Sequence, residues 1–269
     1  MYIDCKNITF AYNSNNNVLN SLSLKINKGE TLAIVGASGC GKSTLLRILS
    51  GILPEEKSNS LLGNISIDNL TPDQYRQTGK LAFMFQEATL LPHLSVKQNI
   101  ELPLKLKRNN NEQKINNLIT SVGLDDFRDY LPKQLSGGMK TRVALARSFS
   151  TNPELLLLDE PFSSLDIAWK SKLYVELEKL REETSTTVVV VTHDVQEALL
   201  LANNVIVMNN IGRIEAKIEI NTRYSIMDRV NDISGYMNSV YEIYMLPIQD
   251  AIINGQNRIN EKQDTLHIA

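Results

Sequence analysis

The sequence predicts an α/β fold with a parallel β-sheet at its centre. Three observations carry this expectation. The short apolar runs Thr31–Val35 (TLAIV), Leu155–Leu158 (LLLL) and Thr187–Val191 (TVVVV) are too short for helices and read as buried strands. Segments of helical spacing lie between such runs, as with Val143, Ala146 and Phe149. The first run also leads directly into a glycine-rich loop, Gly36–Thr44 (GASGCGKST), and a helical stretch, Ser43–Leu49, leaves it.

That loop fits the phosphate-binding pattern G-x-x-x-x-G-K-[ST], with Gly36, Gly41, Lys42 and Ser43 at the required places. Glycines let the chain curl so that backbone N–H groups of Ala37, Ser38, Gly39 and Cys40 face inward and cradle phosphate oxygens. Lys42 reaches the β- and γ-phosphates, and the Ser43 hydroxyl can ligate Mg²⁺. The following helix aims its N-terminal dipole at the anion. The chain has no Asn-Lys-x-Asp tetrapeptide for reading guanine, which disfavours a GTPase.

Composition sets the outer limits. The chain has 269 residues, 42% hydrophobic and 22% charged, as in ordinary globular proteins of one or two domains. A formal net charge of −2 argues against nucleic-acid binding, which normally needs a basic face. No apolar run reaches the roughly 18 residues of a transmembrane helix, and MYIDCKNITF lacks the pattern of a signal peptide. Both point to the cytoplasm. Two cysteines, Cys5 and Cys40, make a disulfide framework unlikely, and Cys40 reads as filling a small slot in the loop.

In chain order, Tyr2–Ile26 reads as two strands around the turn residues Asn13–Asn17. Tyr12, just after the first strand, is either an aromatic platform for adenine or an ordinary strand-end tyrosine. A polar stretch, Pro54–Ser60, precedes a strand at Asn64–Asp68, and Lys80–Phe85 is a strand ending at Gln86. Leu94–Arg108 and Glu112–Val122 have helical spacing and suggest a helical insert. The stretch LSGGM at Leu135 puts Ser136, Gly137 and Gly138 at a helix N-terminus, suited either to an anion or to simple capping by Ser136. Asp159 and Glu160 close the Leu155–Leu158 strand, where ligands bind in open α/β sheets. There Asp159 can hold Mg²⁺ and Glu160 can orient or deprotonate a water. Lys170–Glu183 is a charged helix. His193 follows the strand Thr187–Val191, and Val205–Met208 and Arg213–Ile220 are further strands. Residues Met227, Val230, Ile233, Met237, Val240, Tyr241 and Tyr244 then recur at helical spacing. Pro247 is expected to stop that helix and the chain from Asn254 to be a loose tail.

Taken together, the loop at Gly36, then Gln86, LSGGM at Leu135, LLLLDEP at Leu155, SSLD at Ser163 and His193 resemble the ATP-binding cassette family from about Tyr2 to Ile220. The resemblance implies a P-loop NTPase core with an N-terminal antiparallel β-subdomain and a helical subdomain at about 87–150, all within a nucleotide-binding domain of residues 1–220. Residues 221–269 form a helical extension. It also implies roles. Tyr12 stacks on adenine, and Gly39, Gly41, Lys42, Ser43 and Thr44 hold phosphates and Mg²⁺. Gln86 meets Mg²⁺ and the attacking water, Asp159 supports Mg²⁺, Glu160 is the base and His193 meets the γ-phosphate. Ser136, Gly137 and Gly138 bind the γ-phosphate held by a second copy, which Asp166 also contacts, in a head-to-tail homodimer around two ATP molecules.

One position departs from the usual signature. Met139 stands where glutamine is frequent and cannot make the same hydrogen bonds. In this LSGGM is similar to the nitrate, sulfonate and taurine importer branch, as is LLPHLSV at Leu90, although His93 replaces a frequent aromatic, while THDVQEAL at Thr192 is similar to importer ATPases generally. The expected partners are membrane permease chains and, indirectly, an extracytoplasmic solute-binding protein. The expected place is peripheral, on the inner face of the cell membrane. The competing readings are a soluble cassette acting on nucleic acid or ribosomes, and a nucleotide-binding scaffold without turnover. The absence of a second cassette or coiled coil weighs against the former. Intact Lys42, Asp159, Glu160 and His193 weigh against the latter.

Overall fold

A computed structural model of the chain describes residues 1–13, 16–53, 60–220 and 224–254. The expected turn residues 14–15, most of the polar stretch before Leu61 and the expected tail beyond residue 254 lie outside the described residues. Nine strands among those described form two sheets. Strands β1 (Ile3–Asn13), β2 (Asn16–Ile26) and β4 (Leu61–Ile67) make an antiparallel sheet in the order β2-β1-β4. The second sheet has the order β5-β6-β7-β3-β8-β9. It uses β5 (Leu81–Met84), β6 (Leu155–Asp159), β7 (Thr187–Val191), β3 (Thr31–Gly36), β8 (Asn204–Met208) and β9 (Ile214–Glu219). Its strands are parallel except β9, which runs against β8.

The apolar runs explain this sheet. Strands β3, β6 and β7 are buried along their whole length, so helices or sheet must cover both faces. Alternate side chains divide between two cores, as the period of two requires. Leu32, Ile34, Leu157, Val189 and Ile206 face helix α1 (Lys42–Leu49) and the antiparallel sheet. Ala33, Val35, Leu156, Leu158, Val190 and Val207 face the other way. That second core is covered by α3 (Val96–Leu106), α4 (Glu112–Ser121), α5 (Gly137–Phe149), α6 (Ile167–Thr184) and α7 (Val195–Leu201).

Several elements differ from the sequence expectation. Helix α2 (Pro72–Gln77) was not expected, although Thr71 and Gln74 form a capping box that announces it. Helix α6 begins at Ile167 rather than Lys170 because Asp166 caps it, its carboxylate accepting from the Trp169 N–H at 3.0 Å. Helix α7 was also unexpected. The C-terminal stretch is not one helix ended by Pro247. It comprises α8 (Ile226–Asn231), α9 (Ile233–Val240), a π-helical turn Tyr241–Met245 and a helix over 246–254 that contains Pro247. The π-turn places Pro247 at the start of a new helical stretch, where a missing N–H costs little. The break at Asp232 is held by its carboxylate, which accepts from the Gly235 N–H at 3.0 Å.

These C-terminal helices are tied to α7. Buried Arg229 donates from Nη1 to the carbonyls of Leu199 (3.2 Å) and Ala202 (2.7 Å), which have no partner within the helix at the end of α7. The Tyr236 hydroxyl donates to the same Leu199 carbonyl at 3.2 Å, and the guanidinium lies 5.3 Å from the Tyr236 ring centroid. Replacing Arg229 by alanine removes a charged donor from two buried carbonyls. The expected loss is about 2–3 kcal/mol of stability, read by urea denaturation. An Arg229→Ala protein as stable as the parent contradicts this anchoring.

Candidate active site

The carboxyl ends of β7 and β6 finish level with one another, and β3 runs two residues further, to Gly36. Ile34 pairs with Val191, and Val191 with Asp159. The loop after β3, the acids ending β6 and the turn after β7 therefore share one edge of the sheet, the edge at which open α/β sheets bind ligands.

The loop's shape depends on two glycines. At Gly36 (φ +155°) an added Cβ would collide with the Met208 carbonyl oxygen and stand 3.0 Å from Cys40 Sγ. At Gly41 (φ +101°) it would lie 2.8 Å from the Val18 carbonyl oxygen. Lys42 is buried, and its Nζ donates to the carbonyls of Gly36 (2.9 Å) and Ala37 (2.8 Å), spanning the loop from inside. Ser38 and Gly39 form the exposed tip. Cys40 is buried, and that burial pushes its thiol pKa up against the opposing pull of Lys42, so it is a packing group and not a nucleophile. Tyr12 stands beside the loop, its hydroxyl 3.3 Å from Thr44 Oγ1 and its ring edge-on to Phe10.

Five expected groups meet behind the loop. Ser43 Oγ donates to Asp159 Oδ1 at 2.8 Å. Burial pushes the Asp159 carboxyl up, and the Ser43 hydrogen bond works against that shift. Glu160 turns away from the strand with φ +47°, a conformation uncommon for a non-glycine residue, and its N–H is held by the Val191 carbonyl at 2.9 Å. This turn sends its carboxylate to two neighbours. Gln86 Nε2 donates to Glu160 Oε2 at 3.3 Å, and His193 Nδ1 lies 3.4 Å from the same oxygen.

Ser136, Gly137 and Gly138 are elsewhere. Ser136 caps α5, its Oγ accepting from the Met139 N–H at 3.2 Å. Added Cβ atoms show how the pair of glycines differ. One at Gly138 would touch Leu165 Cδ2 and the Ser164 carbonyl at 3.4 Å, while one at Gly137 meets nothing within 4 Å. Thr141 Oγ1 and Ser164 Oγ, 2.7 Å apart, complete this contact between α5 and the segment before α6. Among the described residues no hydrogen bond joins Ser136–Met139 to the Gly36–Thr44 loop. The sequence placed Ser163 at the start of SSLD but gave it no role; its hydroxyl donates to the Glu160 carbonyl at 3.1 Å. Sequence reasoning passed over Tyr174 and Glu197, which meet behind His193. Asp194 followed three residues later by Glu197 is a helix-start pattern that could have drawn attention to the latter.

The donor set suits a hard divalent cation held jointly with phosphate. Ser43 and Asp159 supply adjacent oxygens, whereas among the described residues no group of three or more His, Cys, Asp or Glu forms a self-sufficient metal cage. Mg²⁺ is bound in this way, by one or two protein oxygens together with substrate phosphates and water.

Comparison with known proteins identifies the family. Residues 19–163 match the family described as ABC transporter. The chain is 40% identical over 210 residues to the aliphatic sulfonates import ATP-binding protein SsuB of Bacillus thuringiensis subsp. konkukian, covering 77% of this chain and 80% of that one. It is 41% identical over 214 residues to the spermidine/putrescine import ATP-binding protein PotA of Thermotoga maritima, covering 78% of this chain but 56% of that longer relative. Among solved structures it resembles the ATP-binding cassette MJ0796 in a dimeric post-hydrolysis state bound to ADP and Pi. That likeness has TM-score 0.73 and 32% identity, over 82% of this chain and 99% of that one. The family match spans more than half of the sequence and carries the loop, Gln86, the signature and Asp159–Glu160, so this chain belongs to the ABC transporter family.

Proposed function

We propose that this chain is the ATP-hydrolysing subunit of an importer and drives solute uptake through separate membrane permease chains. The observation that carries this reading is the convergence on Glu160: Gln86 and His193 both meet its Oε2, beside the Ser43–Asp159 pair. The chain is an ATPase. Loop N–H groups and Lys42 hold the phosphates, and Tyr12 offers a face to adenine. Glu160 takes a proton from the attacking water as its oxygen bonds to the γ-phosphorus, and ADP leaves with the electrons of the broken P–O bond. Gln86 and His193 hold the carboxylate and the transferred phosphate in line. Ser43, Asp159 and Gln86 would hold Mg²⁺, which would neutralise charge on the phosphates.

The reading requires two copies. Within one chain Ser136–Gly138 packs against residues 164–165, and Gly137 faces open space. Head-to-tail pairing brings the Ser136–Gly138 turn of one copy to the γ-phosphate of the other, with Asp166 at the same junction. Among the described residues no helix is long and apolar enough to cross a membrane, so the membrane path belongs to partner chains. Those partners place this subunit at the cytoplasmic face, with a solute-binding protein delivering cargo from outside. The motion reaches the permease through the segment after Gln86. The LSGGM signature favours a nitrate-, sulfonate- or taurine-like anion as cargo, and the sulfonate import relative supports that class.

Two tests follow. Glu160→Gln is expected to keep ATP binding, lower turnover by about 10²–10⁴ and accumulate a dimer with ATP and Mg²⁺, read by light scattering. A variant that stays monomeric at high concentration refutes the isolated dimer. Separately, Ser136→Arg should abolish hydrolysis without weakening ATP binding to the monomer, because its side chain fills the gap between copies. Met139→Gln should keep most activity, since the Met139 N–H makes the bond to Ser136 and its side chain is only partly buried against the core. Nucleotide titration beside steady-state hydrolysis separates the two. An inactive Met139→Gln with an active Ser136→Arg would reduce the signature to a helix cap.

A further inference from the structure

Behind His193 lies a buried carboxylate that the hydrolytic mechanism does not use. Glu197, in the first turn of α7, is 2% exposed. Its Oε2 accepts from the Tyr174 hydroxyl at 3.3 Å, and it is also bonded to the Thr192 side chain. Thr192 Oγ1 in turn accepts from the Asp194 N–H at 3.0 Å, so its own hydroxyl proton is free for Glu197. The Asp194 carboxylate closes the circuit by accepting from the Glu197 N–H at 3.2 Å. His193 is enclosed by this circuit, between Thr192 and Asp194, yet its own ring is exposed and reaches Glu160.

The circuit is also joined to the segment that follows Glu160. The Tyr174 ring packs edge-on against fully buried Phe162 at 4.9 Å between centroids, and Phe162 is two residues after Glu160. Tyr174 therefore joins the two halves of the site, touching Phe162 with its ring and Glu197, which is bonded to the His193 turn, with its hydroxyl. Lys170, one turn earlier on α6, stands 3.7 Å from Asp194 Oδ2 and 3.9 Å from Glu197 Oε2. The charged and titratable groups facing Glu197 are thus Tyr174 and Lys170 from α6 and Asp194 from its own turn. Arg229 of α8 and Tyr236 of α9 meet the far end of α7, at Leu199 and Ala202.

We propose that Glu197 is a positioning residue for hydrolysis, whose buried carboxylate, held by Tyr174 and Thr192, sets the turn 192–194 and thereby the approach of His193 to Glu160. The ionised form is the stronger acceptor for both hydroxyls. A protonated carboxyl still accepts, but its bonds to the two hydroxyls are no longer charge-assisted and its hold on the turn weakens. Burial pushes this carboxyl up to about 7, with Thr192, Lys170 and Tyr174 pulling the other way. Two opposed pH effects result. The positioning gain appears as pH rises through about 7. Stability runs in reverse. The raised folded value means that the contribution of the protonated group is full below the ordinary carboxylate range and is lost as pH rises through about 7.

The test rests on the role proposed above for His193 and is arranged so that the two can fail separately. Steady-state hydrolysis and thermal unfolding are measured from about pH 5.5 to 8.5 on the full chain and on Glu197→Gln, Tyr174→Phe and His193→Ala. Glu197→Gln should lower kcat about 3–10-fold at pH 8, leave KM for ATP within about twofold and flatten the rise of kcat near neutrality. Its Tm should gain on the parent as pH increases, because no buried charge forms. Tyr174→Phe keeps the ring on Phe162 and removes one hydrogen bond to the ionised form, so its kcat inflection should move to higher pH. This second variant decides the matter if Glu197→Gln does not fold. A Glu197→Gln protein with the parent kcat and pH profile overturns the proposal, as does an unmoved inflection in Tyr174→Phe. So does a lower kcat in Glu197→Gln accompanied by an equal loss of Tm at every pH, which marks a merely structural group. If His193→Ala keeps the parent kcat, the role of His193 itself is wrong and the positioning proposal falls with it. If His193→Ala is impaired while Glu197→Gln is silent, only the positioning proposal fails.

Discussion

Ser43, at the start of the loop helix, donates to Asp159 at the end of β6, and that 2.8 Å bond forms only because β7 holds β3 and β6 in fixed register. Strands β3 and β6 are not neighbours; β7 lies between them. A shift of one residue in either pairing would move the acid by about 3.3 Å along the strand and turn it to the other face. Long alternating apolar contacts prevent that shift. Val188 and Val190 must face one core while Val189 and Val191 face the other. The register that buries these valines is the register that sets the site.

Charge placement follows from the same edge. Asp159 is almost wholly buried, which raises the cost of its ionised form, and the Ser43 hydroxyl offsets part of that cost. Glu160, one residue later, could not point the same way without placing two carboxylates together in a dry site. Its left-handed backbone, costing on the order of 1–3 kcal/mol, separates the two acids and aims the second at Gln86 and His193. The Val191 and Ser163 bonds to the Glu160 backbone hold that strained turn.

The C-terminal helices have a less direct connection. Arg229 and Tyr236 satisfy the last carbonyls of α7, whose first turn carries Glu197 and whose preceding turn carries His193. A short helix of seven residues has little stability of its own. Held at the far end by Arg229 and at the near end by the Asp194 cap, α7 becomes a rigid support for the turn before it.

The sequence by itself determined the fold class, the loop and the order of the site residues, because each is a local signal. TLAIV, LLLLD and TVVVV are buried-strand runs, and GASGCGKST specifies a loop through glycines that no other residue can replace at Gly36 and Gly41. Local signals also existed for what was missed. The capping boxes that start α2 and the cap at Asp194 lie in plain sight, but α2 and α7 are too short to show a clear helical period. Pro247 misled for the opposite reason. A proline stops a continuing helix, and only the π-helical turn before it made Pro247 part of a new beginning. Tertiary structure alone decided which distant residues meet: Gln86, Glu160 and His193 at one carboxylate, Tyr12 beside Thr44, and Tyr174 across to Glu197. Those contacts depend on strand register and on helices crossing behind the sheet, and no spacing along the chain encodes the distance between residues that separate elements bring together.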